Sequence, residues 1–510
     1  MIYSKLFDWQ KQIVDSILPK KSFGLFLDCG LGKTPLSLSL AEQNRCNKVI
    51  IITIKSKATE DENVSGSWVA WAKQSNIPWK IYNKKSIEKN YSGVDHSTPE
   101  LLIINYESVY NHKDLPKLSL HPAIDEFVKN ISKLDSVAII ADECHKLKNM
   151  QTHQTKSLEM LKRKLISKGV KNIFTYLLTG TPFTQGYIDL YSQLKILGLQ
   201  MTKTAFTDEF CIRDNRPGLY GWQQPIIGYK NINQLYDLVH KYALTIKSTD
   251  VISLPEQINI YHESEQTLFN FLMNEKLIGK NILSLGKKLH PELDWSEYNT
   301  TSKMPNPFYR NIDYPNSVYL ADTPGGLWLR SRQLSIGFQG NAEQYVWYDE
   351  SRIDSLKIFL REHPDNYLLF YNYTPELYKL YDVCEELEYN IDVYSGSVKS
   401  MTFYEKYESQ SPEERLENNK NIILANFASG STGKNWQLYN KCIIFSIPLY
   451  KDYEQGIKRI HRIGQKNTTI YHWFTQNNWL DKSMMKALME KKNYSEDLFK
   501  DNFIKNNYEI

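Results

Sequence analysis

Two short segments hold the residue types from which phosphate chemistry is built. In FLDCGLGKTPLSLSL an apolar run ends at Leu27, and Gly30, Leu31, Gly32, Lys33 and Thr34 lead into an amphipathic helix. Glycines let successive backbone N–H groups curl around phosphate oxygens, a lysine neutralises the outer phosphate charge, and a hydroxyl at the next position ligates Mg²⁺. Leu27 stands where the pattern GxxxxGK[ST] has its first glycine. Pro35 removes one backbone donor yet remains compatible with a first helical turn. In VAIIADECHKLKN a second apolar run ends at Asp142, Glu143, Cys144 and His145. Carboxylates at a strand end project into the crevice where open α/β sheets take ligands. Asp142 is therefore a candidate for Mg²⁺, and Glu143 for orienting an attacking water. Alone, the first segment could be a glycine-rich turn and the second a solvated acidic loop. On two strands of one lobe they specify a site for nucleotide hydrolysis.

Two further segments add to them. LLTGTPFTQG is a strand followed by a small polar turn, and its Thr179 and Thr181 hydroxyls could couple a phosphate site to the rest of the lobe; the bland alternative is a simple strand-to-helix turn. In SGSTGKNWQLYNKCIIFSIPLYKDYEQGIKRIHRIGQK, Arg459 and Arg462 lie three apart on an expected helix and so would share a face. A planar guanidinium suits the charge that develops on a γ-phosphate; the alternative is a solvated basic helix.

The elements that must position these residues are legible as short β-rich runs alternating with helical periodicity, the pattern of parallel α/β sheets. Strands are expected at Phe23–Leu27, Lys48–Ile54, Leu101–Asn105, Val137–Ala141 and Tyr176–Thr179, then at Tyr367–Tyr371, Ile391–Tyr394, Ile422–Asn426, Cys442–Ser446 and Ile470–Phe474. Between the two sets the chain turns aromatic and rich in Pro and Asn, which reads as an insertion with helices at Ile232–Tyr242 and Glu265–Leu283 and a long loop after Pro291. The expected division is 1–200 for the first lobe, 201–335 for a mainly helical insertion, 336–485 for the second lobe and 486–510 for a mixed-charge tail.

Composition bounds the reading without deciding it. The chain has 510 residues, 41% hydrophobic and 24% charged, which excludes collagen-like, disordered and mucin-like classes. Sixty-two Lys and Arg against 58 Asp and Glu leave +4, so any nucleic-acid grip must be local. Six scattered cysteines form no CxxC pair, so neither a structural zinc module nor a disulfide framework is expected. No apolar run approaches the roughly 18 residues that span a bilayer, and MIYSKLFDWQ has no apolar signal core. An intracellular protein without membrane partners is expected. The abundance of Lys, Asn and Tyr suggests an AT-rich coding genome and a bacterial or phage-infected cytoplasm.

Taken in order, the segments resemble the Swi/Snf-type branch of the superfamily-two DEAD/DEAH-box helicases and translocases. LFDWQ resembles that family's adenine-recognition element and GLGKT its motif I; VIIITIKS followed by Trp68 is similar to motif Ia, and IINYE to its TYE segment. DECHKLKN stands for the DEAH box, LLTGTP for motif III, LLFYNY for motif IV, SGSTGKNW for motif V and QGIKRIHRIGQ for motif VI, while SLPEQ and LRSRQLSIG match linking elements. The resemblance covers roughly residues 3 to 492, and HRIGQ and DECHKLKN at these spacings are its most specific parts. It departs from the family at Cys144, at Gly186, and at Lys434 and Trp436 in motif V.

The resemblance implies two tandem RecA-like P-loop NTPase lobes that use ATP and Mg²⁺. Gln10 would read adenine; Gly30 to Thr34 would hold phosphates, with Thr34 and Asp142 on the metal. Glu143 would serve the water, and Gln455, Gly433, Arg459 and Arg462 would complete the nucleotide site from the other lobe. His145, Thr179, Thr181, Gly430 and Asn435 would couple nucleotide state to nucleic acid. The implied activity is DNA-stimulated ATP hydrolysis that drives movement along duplex DNA through sequence-independent backbone contacts, with Lys55, Lys57, Lys434 and Lys458 as candidate phosphate ligands and replication or repair proteins as partners. The rivals are an RNA-dependent helicase and a nucleic-acid-binding regulator that retains the fold without turnover.

Overall fold

The computed structural model describes the chain except for residues 29, 65, 92–96, 113–117, 184–185, 214–225, 252, 266–268, 270–323, 341–344, 348, 418, 431–434, 463 and 491–510. It divides into two units, Met1–Ser253 and Leu254–Ile510.

In the first unit seven strands form one parallel sheet: β1 (Ser22–Leu27), β2 (Lys48–Thr53), β3 (Lys80–Asn83), β4 (Glu100–Asn105), β5 (Ser136–Asp142), β6 (Asn172–Thr179) and β9 (Ala243–Ile246), in the order β3-β4-β2-β5-β6-β1-β9. Continuous apolar runs such as Val49–Ile52 are what a parallel sheet covered on both faces requires, and these residues are fully buried. Helix α1 (Asp8–Ile17) precedes β1, and α2 (Lys33–Gln43) follows it. The expected amphipathic character of α2 is not what the fold uses: Pro35 through Glu42 are all buried, so the helix is enclosed on every side. A small antiparallel ribbon joins β7 (Cys211–Arg213) to β8 (Ile226–Tyr229).

In the second unit a six-stranded parallel sheet runs in the order β10-β17-β16-β13-β15-β14, from β10 (Gln257–Ser264), β13 (Tyr367–Tyr371), β14 (Asn390–Tyr394), β15 (Asn421–Asn426), β16 (Lys441–Ile444) and β17 (Thr469–Gln476). Its two faces carry separate cores. Leu368, Phe370, Ile423, Ala425, Cys442 and Ile444 pack on one side, while Tyr367, Leu369, Tyr371, Ile422, Leu424 and Ile443 pack on the other. This is the period-2 alternation of a strand buried on both faces. A second ribbon pairs β11 (Phe338–Gly340) with β12 (Tyr345–Trp347).

All ten expected strands are present, within two residues at every end but one, where the difference is four. β3, β9 and β10 were not expected. The last two change the reading of residues 201–335, because β9 extends the first sheet beside β1 and β10 extends the second beside β17. The helix Ile232–Tyr242 forms as expected, and it buries Leu235 and Val239 in the first unit's core rather than protruding. The described residues of this stretch are therefore shared between the two units, β9 in the first and β10 in the second. β10 escapes a pattern search because its residues are mostly exposed, and β9 because it is only four residues long. Most of the expected helix Glu265–Leu283, the loop after Pro291 and the tail beyond residue 490 lie outside the described residues. Among the described residues five cysteines are free and buried, and no described helix is long and apolar enough to cross a membrane.

Candidate functional site

Strand register gathers the first unit's chemistry at one edge of its sheet. Parallel pairing sets Ile52 of β2 beside Ala141 of β5, Asp142 of β5 beside Leu178 of β6, and Phe26 of β1 beside Thr179 of β6. The segments that leave the carboxyl ends of β2, β5, β6 and β1 are therefore neighbours, in the crevice where such sheets take ligands.

The turn after β1 is held in a tight curl. Gly30 and Gly32 both lie in the left-handed region, with φ of 86° and 76°. A Cβ at Gly32 would collide with the side-chain amide of Gln10. Gln10 is buried; its Nε2 donates to Leu31 O at 3.0 Å, and its Oε1 accepts from Phe7 N at 3.0 Å. The residue expected to read adenine thus braces the loop from α1. Lys33 opens α2 and donates from Nζ to Leu27 O at 2.7 Å and to Asp28 O at 3.1 Å. Thr34, in the first turn, is partly exposed. Asp28 is tied down in turn by Ser248, which follows β9: its N and Oγ donate to Asp28 Oδ2 at 3.0 and 3.1 Å.

β5 delivers the carboxylates. Asp142 and Glu143 are 2% and 7% exposed, and Glu143 adopts a left-handed φ of 53°, a conformation costly for a residue with a side chain. Glu143 N donates to Asp142 Oδ1 at 3.0 Å, Thr53 Oγ1 donates to Asp142 Oδ2 at 3.0 Å, and Tyr106 OH donates to Asp142 O at 2.7 Å. Lys57 Nζ reaches both carboxylates, at 3.0 Å from Asp142 Oδ2 and 3.1 Å from Glu143 Oε1. Lys57, a candidate phosphate ligand or solvated charge in the sequence, is directed to the acidic pair by the short turn after β2. Burial alone would raise the Glu143 carboxyl, but the charges of Lys57, His145 and Lys33 outweigh it and hold it well below the usual carboxylate range. Burial likewise disfavours the Lys57 ammonium, and Asp142 and Glu143 more than offset it. His145 Nδ1 lies 3.5 Å from Glu143 Oε2 and 3.4 Å from Thr179 Oγ1, and Thr181 N donates to Thr179 Oγ1 at 3.0 Å. A chain of contacts therefore runs from the acidic strand end to the turn after β6.

This donor set suits a Mg²⁺–nucleotide. It offers a helix N-terminus preceded by two left-handed glycines, an ammonium at Lys33, and hard oxygen donors at Thr34 and Asp142. Glu143 is kept ionised by cations that include Lys33, which places the loop lysine within electrostatic reach of the acidic pair.

In the second unit the turn after the helix Tyr450–Ile457 carries the arginines. Arg459 and Arg462 lie beyond that helix rather than on one of its faces, and Trp436 N donates to Arg459 O at 3.0 Å. Arg459 is buried, Gln455 is buried within the helix, and Arg462 Nη1 donates to Asn435 Oδ1. Gln465 staples the same turn, its Nε2 donating to Gln437 O and Tyr439 O at 3.0 Å each. Gly430 is packed so closely that a Cβ would lie 2.9 Å from that of Ala425. Trp436 is fully buried, edge-on to Tyr394 with centroids 5.3 Å apart, which explains an aromatic residue at that position. Lys55 is exposed and Lys458 partly so, whereas Gly433 and Lys434 lie outside the described residues. Sequence reasoning did not find the bracing role of Gln10 or the tether from Ser248 to Asp28. Neither has a local pattern, since each depends on a partner that only folding brings near.

Residues 3–184 match the family model described as "Type III restriction enzyme, res subunit". No curated protein matches the chain. Among solved structures, the Sulfolobus solfataricus SWI2/SNF2 ATPase core in complex with dsDNA aligns with 98% of this chain and 93% of its own, at 16% identity and a TM-score of 0.37.

Proposed function

We propose that the chain is a superfamily-two helicase or translocase, a DNA-stimulated ATPase that moves along duplex DNA, a reading that the family match over residues 3–184 supports. The observation that carries the hydrolytic reading is the convergence of Lys33, Thr34, Asp142 and Glu143 on neighbouring strand ends, with Glu143 held ionised among cations. The Swi/Snf-type reading rests on the motif series that ends in HRIGQ.

In the proposed mechanism Lys33 exchanges its bonds to Leu27 O and Asp28 O for phosphate oxygens. Thr34 and Asp142 would hold Mg²⁺, which when bound would supply positive charge against the phosphates. Glu143, already a carboxylate, orients a water and accepts its proton. His145 touches both Glu143 and Thr179, and so passes changes at the acidic strand end to the turn that begins at Thr179. The family resemblance assigns Arg459 and Arg462 to the γ-phosphate and Gln455 to nucleotide binding, and the proposal keeps those assignments. Backbone contacts to DNA would be salt-sensitive and indifferent to base sequence.

An ATPase assay across single-stranded DNA, duplex DNA, forked DNA and RNA, paired with triplex displacement, tests the reading. Duplex DNA should stimulate turnover most. Glu143→Gln should lower it by about 10²-fold or more while leaving the fold intact. Preferential stimulation by RNA would move the chain to the RNA-dependent helicases, and absence of turnover with every polynucleotide would leave a binding protein.

A further inference from the structure

Lys57 stands where the motif chemistry asks for no cation. It lies in the short turn Lys55–Ala58 after β2, and its ammonium bridges Asp142 Oδ2 at 3.0 Å and Glu143 Oε1 at 3.1 Å. Asp142 Oδ2 also accepts from Thr53 Oγ1, and Asp142 Oδ1 accepts from Glu143 N. Both oxygens of the carboxylate suited to Mg²⁺ are thus engaged by the lobe itself. Two adjacent buried carboxylates left bare would repel each other and pay a desolvation penalty. A divalent cation would relieve that strain with twice the charge of an ammonium. Lys57 has the means to give way, because its side chain is 22% exposed and carries its charge on a flexible four-carbon stem. Thr53, fully buried at the end of β2, has no such freedom.

We propose that Lys57 is the resting counter-ion of the Asp142–Glu143 pair, and that loading of Mg²⁺ with nucleotide displaces its ammonium from Asp142. The inference rests on the reading of Asp142 and Glu143 as metal and water residues. Its consequence is competition: an intramolecular cation raises the Mg²⁺ concentration at which nucleotide is captured, because the metal must bind the fraction of molecules in which Asp142 is released. Lys57 is therefore a positioning residue that sets a threshold for the metal, and it balances the charge of the acidic pair when no metal is present.

The test follows ADP binding by calorimetry while Mg²⁺ is titrated, in the full-length wild-type protein and in Lys57→Met and Lys57→Gln. Both variants should reach half-saturation at a Mg²⁺ concentration lower by about fivefold, the equivalent of a partly exposed ion pair. Mg²⁺ should also raise their melting temperatures more than that of the wild type. A half-saturating concentration that is unchanged or higher overturns the proposal. A second measurement needs no variant. Acetylation of Lys57 in the wild-type protein, read by mass spectrometry, should be slow with ADP and EDTA and faster with ADP and Mg²⁺; equal or slower labelling with Mg²⁺ overturns the proposal. If the wild-type protein captures no ADP in Mg²⁺, the site reading falls and this inference with it. If it captures ADP and Lys57 alters nothing, only the inference falls.

Discussion

At the residue scale the candidate site depends on backbone conformations that few side chains permit. Gly32 sits at φ 76° with its missing Cβ position taken by the Gln10 amide, so Gly32→Ala suffers both left-handed strain and a collision. It should destabilise the protein by about 1–3 kcal/mol and weaken ADP binding by at least tenfold. Urea denaturation and calorimetry measure the two effects, and a variant as stable and as tight as the wild type would refute the argument. Gln10→Ala removes a buried bond to Leu31 O and leaves that carbonyl short of a donor, a loss of about 1 kcal/mol. Should Gln10 act chiefly as a brace, ATP and GTP binding would fall together; a selective loss of ATP would instead establish adenine reading. GKT and DEC were legible at this scale because their chemistry is written in consecutive residues. The partners of Lys57 were not legible because nothing local distinguishes a lysine facing solvent from one facing two carboxylates.

At the scale of elements, β10 and β17 pair through eight residues and set two histidines against each other, His262 Nε2 lying 3.1 Å from His472 Nδ1. Burial, and then the charges of His262, Lys441 and His363, push His472 down to about 4, and burial lowers His262 as well. A histidine with a depressed folded value takes up its proton more readily in the unfolded chain. Stability is therefore lost as pH falls from about 6.5 towards 4, with no further loss from this group below that. Glu376, pushed up to about 7 chiefly by burial, acts in the opposite sense: its contribution is full below about 4.5 and is lost as pH rises to 7. Comparison with His472→Asn separates the two. Between pH 7 and pH 4.5 the wild type should lose about 2 kcal/mol more than the variant in urea unfolding. Equal losses would show that this pair does not govern the acid response. Neither histidine was singled out from sequence, because β10 carries too little apolar pattern to be read as a strand.

At the scale of the molecule, the boundary of the first unit has a direct test. The fragment 1–253 retains β9, the helix that buries Leu235 and Val239, and the Ser248 tether to Asp28; the fragment 1–200 loses all three and uncovers the β1 edge. The longer fragment should unfold cooperatively and the shorter should aggregate or melt at least 10 °C lower, as calorimetry would report. Equal melting would return the boundary to residue 200. For the whole chain, the proposed function predicts that affinity for DNA falls with salt along a log–log slope set by a few local phosphate contacts, since a net charge of +4 leaves no global basic excess.

The sequence alone determined the two parallel sheets and the candidate hydrolytic residues. Continuous apolar runs bounded by glycine and polar turns admit few other structures, and the phosphate-binding and acidic motifs are each written in consecutive residues. Tertiary structure decided what depends on distant partners. β9 and β10 became strands by completing the edges of sheets built from other segments. Arg459 and Arg462 lie beyond the helix, and Trp436 N donates to Arg459 O. Lys57 became part of the acidic site because β2 pairs with β5 in one register, and that register is a property of the folded sheet.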